Sequence, residues 1–233
     1  ALLCLDVTES VIDDAVARGC NLIIAHHPLL FRGLKMVSDA DYVQRSVWKA
    51  VQNNVCIVAM HTNLDNAYGG VNHEIAALLG LENVTFLAGQ RTIPDPYGGM
   101  TPQSQLTGGS GIIGTLGQET DPETFIHDVK RVFGAECCMT NQLLGRKIRT
   151  VALCGGAGAF LLRDAIRQGA DAFITGEMSY HEFFGHDQEI QIMAIGHYET
   201  EQYTVRIFRR IISSLCPSLP IYEYGATNPI RYW

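Results

Sequence analysis

In the segment Leu22-Ile23-Ile24-Ala25-His26-His27-Pro28-Leu29-Leu30-Phe31, four apolar residues lead directly into two adjacent histidines. The apolar run predicts a β-strand, and Pro28 ends it because proline lacks the backbone N–H that a sheet needs. Ligands of open α/β sheets bind in the crevice beyond the carboxyl ends of the strands. His26 and His27 are therefore candidate metal ligands at such an edge. The alternative is a polar strand end that is hydrogen-bonded to nearby backbone.

The composition is that of an acidic globular protein. Of the 233 residues, 47% are hydrophobic and 18% are charged, and the formal net charge is -7. A nucleic-acid surface needs clustered lysine and arginine, so we expect no nucleic-acid partner. We also expect no membrane partner, because no apolar run reaches the length of a membrane span. The seven cysteines form no CxxC pair, and several lie in apolar strands, so we expect reduced thiols and a cytoplasmic location.

Strand-like and helix-like segments alternate along the chain, which is typical of an α/β fold with parallel strands. Strands are predicted at residues 2–6, 21–25, 55–60, 112–116, 148–154, 170–175 and 191–195. Helices are predicted at residues 8–19, 42–53, 71–79, 122–133, 159–168 and 199–214. The segment 55–60 is apolar throughout, which indicates a strand in the middle of a parallel sheet.

The two halves of the chain share a weak internal repeat with an offset of 150 positions. It aligns Cys4 with Cys154, Ala15 with Ala165, Gly19 with Gly169, Ile24 with Ile174 and His27 with Glu177. Each half then has the order strand, helix, glycine, strand and polar tip, although chance similarity between two βαβ units is an alternative. We expect two similar α/β lobes with mostly parallel sheets that face each other across a metal-binding cleft.

A change of composition marks the expected boundary between the lobes. Residues 89–111 are rich in Gly, Pro, Ser, Thr and Gln, which predicts a long loop or flexible connection. We therefore divide the chain into an N-terminal α/β lobe at 1–88, a connecting region at 89–147, and a C-terminal lobe at 148–233 that completes the metal site. Because the sequence opens directly on a strand, we expect that the start of the N-terminal lobe is missing.

Three predicted strands end in residue types that bind metals. His26 and His27 follow one strand, Asp65 lies a few residues beyond the next, and His197 and Glu201 stand four residues apart where the last helix begins. This spacing lets His197 and Glu201 converge on one point, and the carboxyl ends of parallel strands gather on one side of a sheet. Three imidazoles and two carboxylates exceed the four ligands of a structural zinc and suit two metal ions. Taken alone, Asp65 is equally explained as a turn or helix-capping residue.

Four strings of the sequence, LIIAHHPLLFRGLK, AMHTNLDNAYGGVN, ITGEMSYHEF and GHYETE, resemble those of the Nif-three-like family, also called GTP cyclohydrolase I type 2 homologues. The resemblance covers nearly the whole chain in the expected order. It implies a two-lobed α/β fold, a pair of divalent metals in the cleft, and a ring-shaped homohexamer built as a trimer of dimers. It also implies metal-ligand roles for the same five residues, His26, His27, Asp65, His197 and Glu201.

The sequence departs from the family pattern at two places. The leading helical segment before the first strand is absent, and the separate domain that longer members insert between the lobes is missing. Only residues 89–147 stand in the place of that domain, which predicts a short-form member. What the leading segment contributes to the site stays open.

Further residues carry weaker hypotheses. Glu177 and His181 follow a predicted strand tip, so they are candidate catalytic residues that orient a ligand or donate a proton. Their alternatives are a helix N-terminal carboxylate and a surface histidine. His61 is either an orienting residue or a polar strand end. The turn Gly155 to Gly158 offers N–H groups to a phosphate, although we favour a packed strand-to-helix turn.

The function predicted from these patterns is a metal-dependent hydrolase that uses two divalent ions per chain, of Zn, Fe, Mn or Ni. Its substrate is a small molecule. The resemblance suggests a nucleotide, with attack at C8 of the GTP purine, whereas the metal pair suits a phosphoester equally well. Arg32 and Lys35 are candidate contacts for a substrate anion. The alternatives are a metal-binding protein with a regulatory, trafficking or scaffolding role and no turnover, and an oxygen-activating di-iron protein.

Overall fold

The computed structural model describes residues 1–94 and 105–233, and it divides into two compact units. The N-terminal unit consists of Ala1–Leu64 and Gln202–Pro229, and the central unit consists of Asp65–Glu201 and Ile230–Trp233. Each unit contains one β-sheet together with helices, which confirms an α/β fold with two sheets. Within the described ranges, no helix combines the length and the apolar character that crossing a bilayer requires.

The described residues form ten strands and eight α-helices. The strands are β1 (Leu2–Cys4), β2 (Leu22–Ala25), β3 (Cys56–Ala59), β4 (Glu82–Pro94), β5 (Gln105–Thr120), β6 (Met139–Thr140), β7 (Ile148–Cys154), β8 (Ala172–Thr175), β9 (Gln191–Ala194) and β10 (Tyr222–Glu223). The α-helices are α1 (Glu9–Ala17), α2 (Tyr42–Gln52), α3 (Thr62–Asp65), α4 (Val71–Leu78), α5 (Pro122–Phe133), α6 (Leu162–Arg167), α7 (His197–Glu201) and α8 (Thr204–Leu215). Short 3-10 helices cover Ala159–Leu161 and Tyr180–Phe183.

The sheet of the N-terminal unit has the strand order β10-β1-β2-β3, and all of its pairings are parallel. Its core is built from the apolar residues of β1 and β2 packed on α1, with Leu2, Ile12 and Ile23 fully buried. The predicted start of α1 is confirmed, since the Thr8 side chain accepts a hydrogen bond from the Val11 N–H and caps the helix. This arrangement fixes β2, whose carboxyl end leads into the two histidines.

The prediction that residues 55–60 form a central strand is wrong. β3 lies at the edge of its sheet, and the Val58 side chain is 43% exposed although it belongs to an apolar run. Cys56, which begins this strand, is exposed as well. An apolar run shows that a strand is suited to burial on both faces, but it does not determine whether other strands pair with both of its edges.

The sheet of the central unit is mixed, with the order β4-β5-β7-β8-β9-β6. The pairings β7 with β8 and β8 with β9 are parallel, whereas β4 with β5, β5 with β7, and β6 with β9 are antiparallel. The expectation of mostly parallel sheets therefore holds for the N-terminal unit and fails for this one. The core of the central unit includes Phe173 and Ile192, both fully buried between neighbouring strands and helices.

The described residues of the Gly- and Pro-rich segment predicted as a loop at 89–111 form strands. Residues 89–94 complete β4 and residues 105–111 begin β5, and the two strands pair as an antiparallel hairpin with register shifts. Residues 95–104 of the predicted loop lie outside the described residues. Glycine fits here because neighbouring chain comes close: a Cβ at Gly108 would lie 2.7 Å from the Asn66 carbonyl oxygen. Composition alone does not separate such a close approach from a flexible loop.

The internal repeat corresponds to real structure within each unit. β1 pairs with β2 so that Cys4 lies opposite Ala25, and β7 pairs with β8 so that Cys154 lies opposite Thr175. Cys154 and Thr175 stand 150 positions after Cys4 and Ala25, which is the offset that aligns the two halves of the sequence. A short helix then follows the third strand of each set, α3 after β3 and α7 after β9. The two units therefore place candidate ligands at corresponding strand ends.

The compact units differ from the predicted lobes at 1–88, 89–147 and 148–233. The chain enters the central unit at Asp65 and returns to the N-terminal unit at Gln202. The cause is long-range strand pairing: β5 hydrogen-bonds to β7, and β10 returns to pair with β1. The predicted helix at 199–214 is likewise divided into α7 and α8. As a result, His197 and Glu201 belong to a short helix of their own.

Candidate metal centre

Three histidines gather at the strand ends of the N-terminal unit. Ala25 pairs with Ala59 across β2 and β3, so the residues that follow each strand emerge side by side. One ligand nitrogen of each of His26, His27 and His61 lies within 4.8 Å of the other two. The structure therefore brings the two predicted ligands together and adds His61, whose role the sequence left open.

Hydrogen bonds set the tautomers of the two adjacent histidines. His26 Nδ1 lies 3.0 Å from the Met60 carbonyl oxygen, and His27 Nδ1 lies 2.8 Å from Asp6 Oδ1. Because both partners are acceptors, each Nδ1 carries the proton and donates. The lone pair of each ring then resides on Nε2, the nitrogen that binds metals when Nδ1 is held in this way.

In the central unit, α7 carries His197 and Glu201 on one face of its single turn. His197 Nε2 lies 3.0 Å from Glu201 Oε2, and the Glu201 side chain is almost fully buried. An Asp65 carboxylate oxygen lies within 4.8 Å of one from Glu201. The predicted trio Asp65, His197 and Glu201 is therefore brought together within this unit.

Glu177 holds His197 from the opposite side of the ring. Its Oε1 accepts a hydrogen bond from His197 Nδ1 at 2.8 Å, the same arrangement that Asp6 makes with His27. The hydrogen bond to Glu201 raises the pKa of His197 to about 9, partly opposed by burial and supported by Glu177. Without a metal ion, His197 is thus an imidazolium that bridges two carboxylates. A metal ion at Nε2 would take the place of that proton.

The turn Gly155 to Gly158 supports this group of side chains, and the N–H groups of its three glycines donate to side chains of the protein. The Gly156 N–H donates to Thr200 Oγ1 at 3.0 Å, and the Gly155 N–H donates to Asn72 Oδ1 at 2.9 Å. Gly156 has a φ of +58, and a Cβ there would overlap the Glu201 carboxylate. The packing explanation that we favoured for this turn agrees with these contacts. Glycine at 156 keeps a space open beside Glu201.

Asn72 connects the turn to the third predicted ligand of the unit. This residue is buried on α4, and its Nδ2 donates to the Asp65 carbonyl oxygen at 3.0 Å while its Oδ1 accepts from Gly155. A single side chain thus fixes the backbone at Asp65 relative to the glycine turn. Neither Asn72 nor Asp6 was a predicted site residue, because a buried amide and an exposed carboxylate carry no spacing signal of their own.

Among the described residues, no cysteine belongs to the groups of side chains that lie close enough together to share a metal ion. Burial, supported by the charges of Asp65 and Glu201, raises the pKa of Cys154 to about 12. Burial also raises the pKa of Cys4 to about 12. Both thiols are therefore protonated in the metal-free protein, and the candidate donors are imidazole nitrogens and carboxylate oxygens. Such donors suit Zn, Fe, Mn and Ni ions, which agrees with the predicted cofactors without selecting one.

The remaining predicted site residue, His181, lies in a different setting. It is exposed on the 3-10 helix Tyr180–Phe183, and its ring contacts are with Tyr180 at 5.2 Å and Phe184 at 6.3 Å between centroids. A catalytic role for His181 stays a prediction. Glu177, the other candidate, has an orienting contact to His197, whereas its part in proton transfer also stays a prediction.

A cavity of about 510 Å³ opens beside His27 within the N-terminal unit. Its lining includes Asp6, Phe31 and Tyr224, which combine a carboxylate with aromatic surfaces. This volume falls in the range of pockets that enclose small molecules. The His27 ring is part of the cavity wall, so a molecule bound there would lie next to one of the candidate ligands.

Comparison with known proteins places this arrangement in a family. A family model described as Duf34/NIF3 (NGG1p interacting factor 3) matches residues 1–229. The GTP cyclohydrolase 1 type 2 homolog of Lactococcus lactis is 30% identical over 235 residues, which covers 98% of this chain and 83% of the relative. The protein of the same name from Clostridium acetobutylicum is 26% identical over 227 residues, which covers 97% of this chain and 79% of the relative.

Solved structures show the same fold. A Bacillus cereus protein related to NIF3 superposes with a TM-score of 0.83 at 25% identity, covering 100% of this chain and 88% of that one. A Staphylococcus aureus hypothetical protein superposes with a TM-score of 0.85 at 24% identity, covering 100% of this chain and 86% of that one. Since the family match spans nearly the whole sequence, the chain belongs to the Duf34/NIF3 family.

Proposed function

We propose that this protein is a metal-dependent hydrolase that binds two divalent ions through His26, His27, Asp65, His197 and Glu201. The proposal rests on one observation, the common hydrogen-bonding state of the three histidines. His26, His27 and His197 each direct Nδ1 to a carbonyl or carboxylate oxygen. An acceptor at the non-ligating nitrogen is the usual arrangement around metal-bound imidazole.

The chemistry of the donor set fits this group of cofactors. Imidazole nitrogens and carboxylate oxygens match borderline divalent metals, and a carboxylate such as Glu201 has two oxygens with which to bridge a pair of ions. When bound, two such ions supply Lewis acidity and activate water near neutral pH. Gly156 leaves the Glu201 carboxylate uncovered by any side chain at that position, which supports a site built around this residue.

The surrounding residues have separate tasks in the proposal. Asp6 and Glu177 hold the rings of His27 and His197 in the orientation that presents Nε2. Asn72 fixes the backbone at Asp65, so that its carboxylate keeps a constant position. These contacts keep the donors in place before the ions arrive, which lowers the cost of ordering them at the moment of binding.

The proposed substrate is a small molecule with an electrophilic carbon or phosphorus. The cavity of about 510 Å³ beside His27 has room for such a molecule. Relatives of this chain carry the name GTP cyclohydrolase 1 type 2 homolog, so GTP is the first substrate to test, and attack would be at C8 of its purine. Phosphoesters are the second class, because the same donors suit phosphoryl chemistry. Arg32 and Lys35 are the proposed contacts for a substrate anion.

The test is an assay of the metal-loaded protein with GTP and a panel of phosphoesters. His26→Ala and Glu201→Ala remove one donor of each type, and we expect both variants to lose turnover by a factor of about 100 or more. His186→Ala is the matched control, because His186 pairs with Glu189 in the same manner as His197 with Glu177 but lies outside the donor set. We expect His186→Ala to keep full activity.

The outcome separates the two main candidate functions. Turnover that disappears in both variants and survives in the control supports the hydrolase. Bound metal without turnover of any substrate contradicts it and favours a metal-binding protein with a regulatory, trafficking or scaffolding role. A visible absorption spectrum of anaerobically purified protein tests the di-iron alternative.

The homohexamer and the cytoplasmic location are further parts of the proposal. The apolar and partly exposed strand β3 supports association between copies, because exposed apolar strand surface is usually covered by a partner. Light scattering on the eluate of a sizing column is the direct measurement. A mass of six chains is expected, and a mass of one chain would contradict the assembly.

A further inference from the structure

We propose that the cavity beside His27 receives the uncharged planar ring of a nucleoside, that Phe31 and Tyr42 stack on this ring, and that the phosphate groups of a nucleotide stay outside. The inference rests on the proposed function and deepens it, because it states which end of a substrate the cavity of about 510 Å³ accepts. Binding of the ring is measurable without turnover.

The charge of the lining argues against a phosphate subsite in the cavity. Among the described residues that line it, Asp6 is the one acidic residue, and none is a lysine or an arginine. A phosphate group that entered the cavity would lose water and would meet a carboxylate without a cation to compensate, which is unfavourable. An uncharged molecule meets no such repulsion, so the cavity favours the uncharged part of a substrate.

Two aromatic residues of the lining are largely exposed. Phe31 is 71% exposed and Tyr42 is 56% exposed. Aromatic faces that reach solvent at a pocket can stack on a planar ring of any base, because every base has an aromatic face. The Phe31 ring also meets the His61 ring edge to face at a centroid distance of 5.4 Å, which restrains its orientation before a ligand binds. The lining therefore fits a flat ring better than an extended chain.

Asp6 offers an acceptor to the N–H groups of such a ring. Its Oδ1 accepts the hydrogen bond from His27 Nδ1 at 2.8 Å, and within the described ranges its carboxylate makes no second hydrogen bond. The Asp6 side chain is 52% exposed, so Oδ2 is accessible to a donor from a ligand. Nucleobases carry N–H or amino donors at their edges, which match this oxygen.

A chain of three hydroxyl groups in the same lining supplies a donor. Tyr224 Oη donates to Ser10 Oγ at 3.2 Å, and Ser10 Oγ lies 2.9 Å from Thr8 Oγ1. These two contacts use two of the three hydroxyl hydrogens, so one hydrogen on Ser10 or Thr8 remains for an acceptor of the ligand. A ring with both N–H and acceptor groups thus finds a partner for each, whereas a hydrocarbon ring would leave these groups unpaired.

The proposed contacts for a substrate anion lie outside the lining. Arg32 follows Phe31 directly in the sequence, and both Arg32 and Lys35 are exposed residues that do not line the cavity. A ring stacked on Phe31 therefore leaves the phosphate groups of the same molecule on the side where a cation is available. This orientation agrees with the charge of the cavity and with the charge of the loop.

The test is a calorimetric titration of the full chain with guanosine, adenosine, uridine and cytidine, and with ribose as a probe without a planar ring. We expect at least one nucleoside to bind with a dissociation constant of about 1 mM or lower, and ribose not to bind. Phe31→Ala and Tyr42→Ala each weaken the nucleoside about five- to ten-fold, and Phe31→Tyr restores the affinity. Tyr180→Ala is the control, since Tyr180 is an exposed aromatic residue of the central unit.

A second measurement tests the exclusion of phosphate. Inorganic triphosphate in excess is expected to leave the affinity of the unsubstituted chain for the nucleoside unchanged within about two-fold. Displacement of the nucleoside by triphosphate overturns the proposal. So do the failure of all four nucleosides to bind, equal binding of ribose, and an unchanged affinity in folded Phe31→Ala or Tyr42→Ala. Far-UV circular dichroism checks the folding of the variants, and the competition decides without them.

These outcomes are distinct from a failure of the proposed function. A protein that binds a nucleoside in this way and turns over no substrate keeps the ring subsite without the hydrolase. A protein that hydrolyses GTP or a phosphoester, and whose KM and nucleoside affinity are unchanged by Phe31→Ala, keeps the hydrolase without the ring subsite.

Discussion

The Asp6 carboxylate accepts a hydrogen bond from His27 Nδ1 at 2.8 Å, and this contact decides which nitrogen of His27 is presented to a metal. We expect Asp6→Ala to weaken divalent metal binding by a factor of about 10 to 100, because the ring loses its orientation and part of its basicity. Calorimetric titration of the metal-free protein with Zn²⁺ measures the change.

Asp13→Ala is the control for Asp6→Ala. Asp13 pairs with Lys49 on the exposed side of α1. Its replacement by alanine removes the same charge from the unit as Asp6→Ala does, but it removes no contact with a histidine. An equal loss of affinity in both variants would show that net charge, and not the hydrogen bond to His27, accounts for the effect.

Glu177→Gln tests the corresponding contact of the central unit. Glutamine keeps the size of the side chain but removes the carboxylate that accepts from His197 Nδ1. We expect the pKa of His197 in the metal-free chain to fall below about 9 but to stay raised, because the hydrogen bond to Glu201 is the largest cause of the shift and Glu177 adds a smaller one. Proton NMR of the imidazole over a pH series gives the value.

The control for Glu177→Gln is Glu189→Gln, which changes a similar pair with His186. It leaves the His197 titration unchanged. If Glu177→Gln also leaves it unchanged, the carboxylate charge of Glu177 does not contribute to the raised pKa of His197.

The raised pKa of His197 predicts how the stability of the metal-free protein depends on pH. The folded-state value of about 9 lies above the usual 6.5, so the protonated ring stabilises the folded chain. This contribution is complete below pH 6.5 and is lost as the pH rises through 9, because folded and unfolded states then bind the proton equally little. We expect a loss on the order of 2 kcal/mol in the free energy of unfolding, after allowance for solvent screening.

Urea denaturation at a series of pH values measures this dependence, and His197→Gln removes it. In the metal-loaded protein this trend disappears over the pH range in which the ion stays bound, since the bound ligand is neutral imidazole. The same slope in the unsubstituted chain and in His197→Gln would assign the effect to other groups.

Gly156→Ala tests the space beside Glu201. The substitution combines a φ of +58 with a Cβ that would overlap the Glu201 carboxylate. We expect a loss of about 2 to 4 kcal/mol in the free energy of unfolding together with weakened metal binding. Gly134→Ala is the matched control, because its φ of +63 is similar while a Cβ there meets no atom within 4 Å.

For Gly134→Ala we expect only the backbone cost, about 1 kcal/mol, and unchanged metal binding. Thermal unfolding and Zn²⁺ titration of both variants make the comparison. Equal behaviour of the two variants would mean that the turn does not support the ligands.

The sequence predicts local structure well where the signal is local. Helix α5 and strand β7 have the predicted bounds, since a proline at the first turn and an apolar run mark them clearly. The ends of β2 and β9 were also predicted to within two residues, and the candidate ligands follow from them. Each unit brings its own predicted ligands together for this reason.

What the sequence does not predict depends on distant partners. The ends of β4 and β5 at 89–94 and 105–111 were predicted as a loop, because composition does not show that the glycines there meet close neighbouring backbone. The edge position of β3 is set by which strands pair with it, and not by its own residues. Asp6 and Asn72 were not predicted as site residues for the same reason, because each contacts a residue that is distant in the sequence.

Metal content is the most direct test of the proposed function. The protein is purified without added chelator, and the bound metals are counted by elemental analysis beside the protein concentration. The account predicts about two divalent ions per chain in the unsubstituted protein, with a reduced content in Glu201→Ala. A folded protein that holds no metal after incubation with Zn²⁺, Mn²⁺, Fe²⁺ and Ni²⁺ would contradict it.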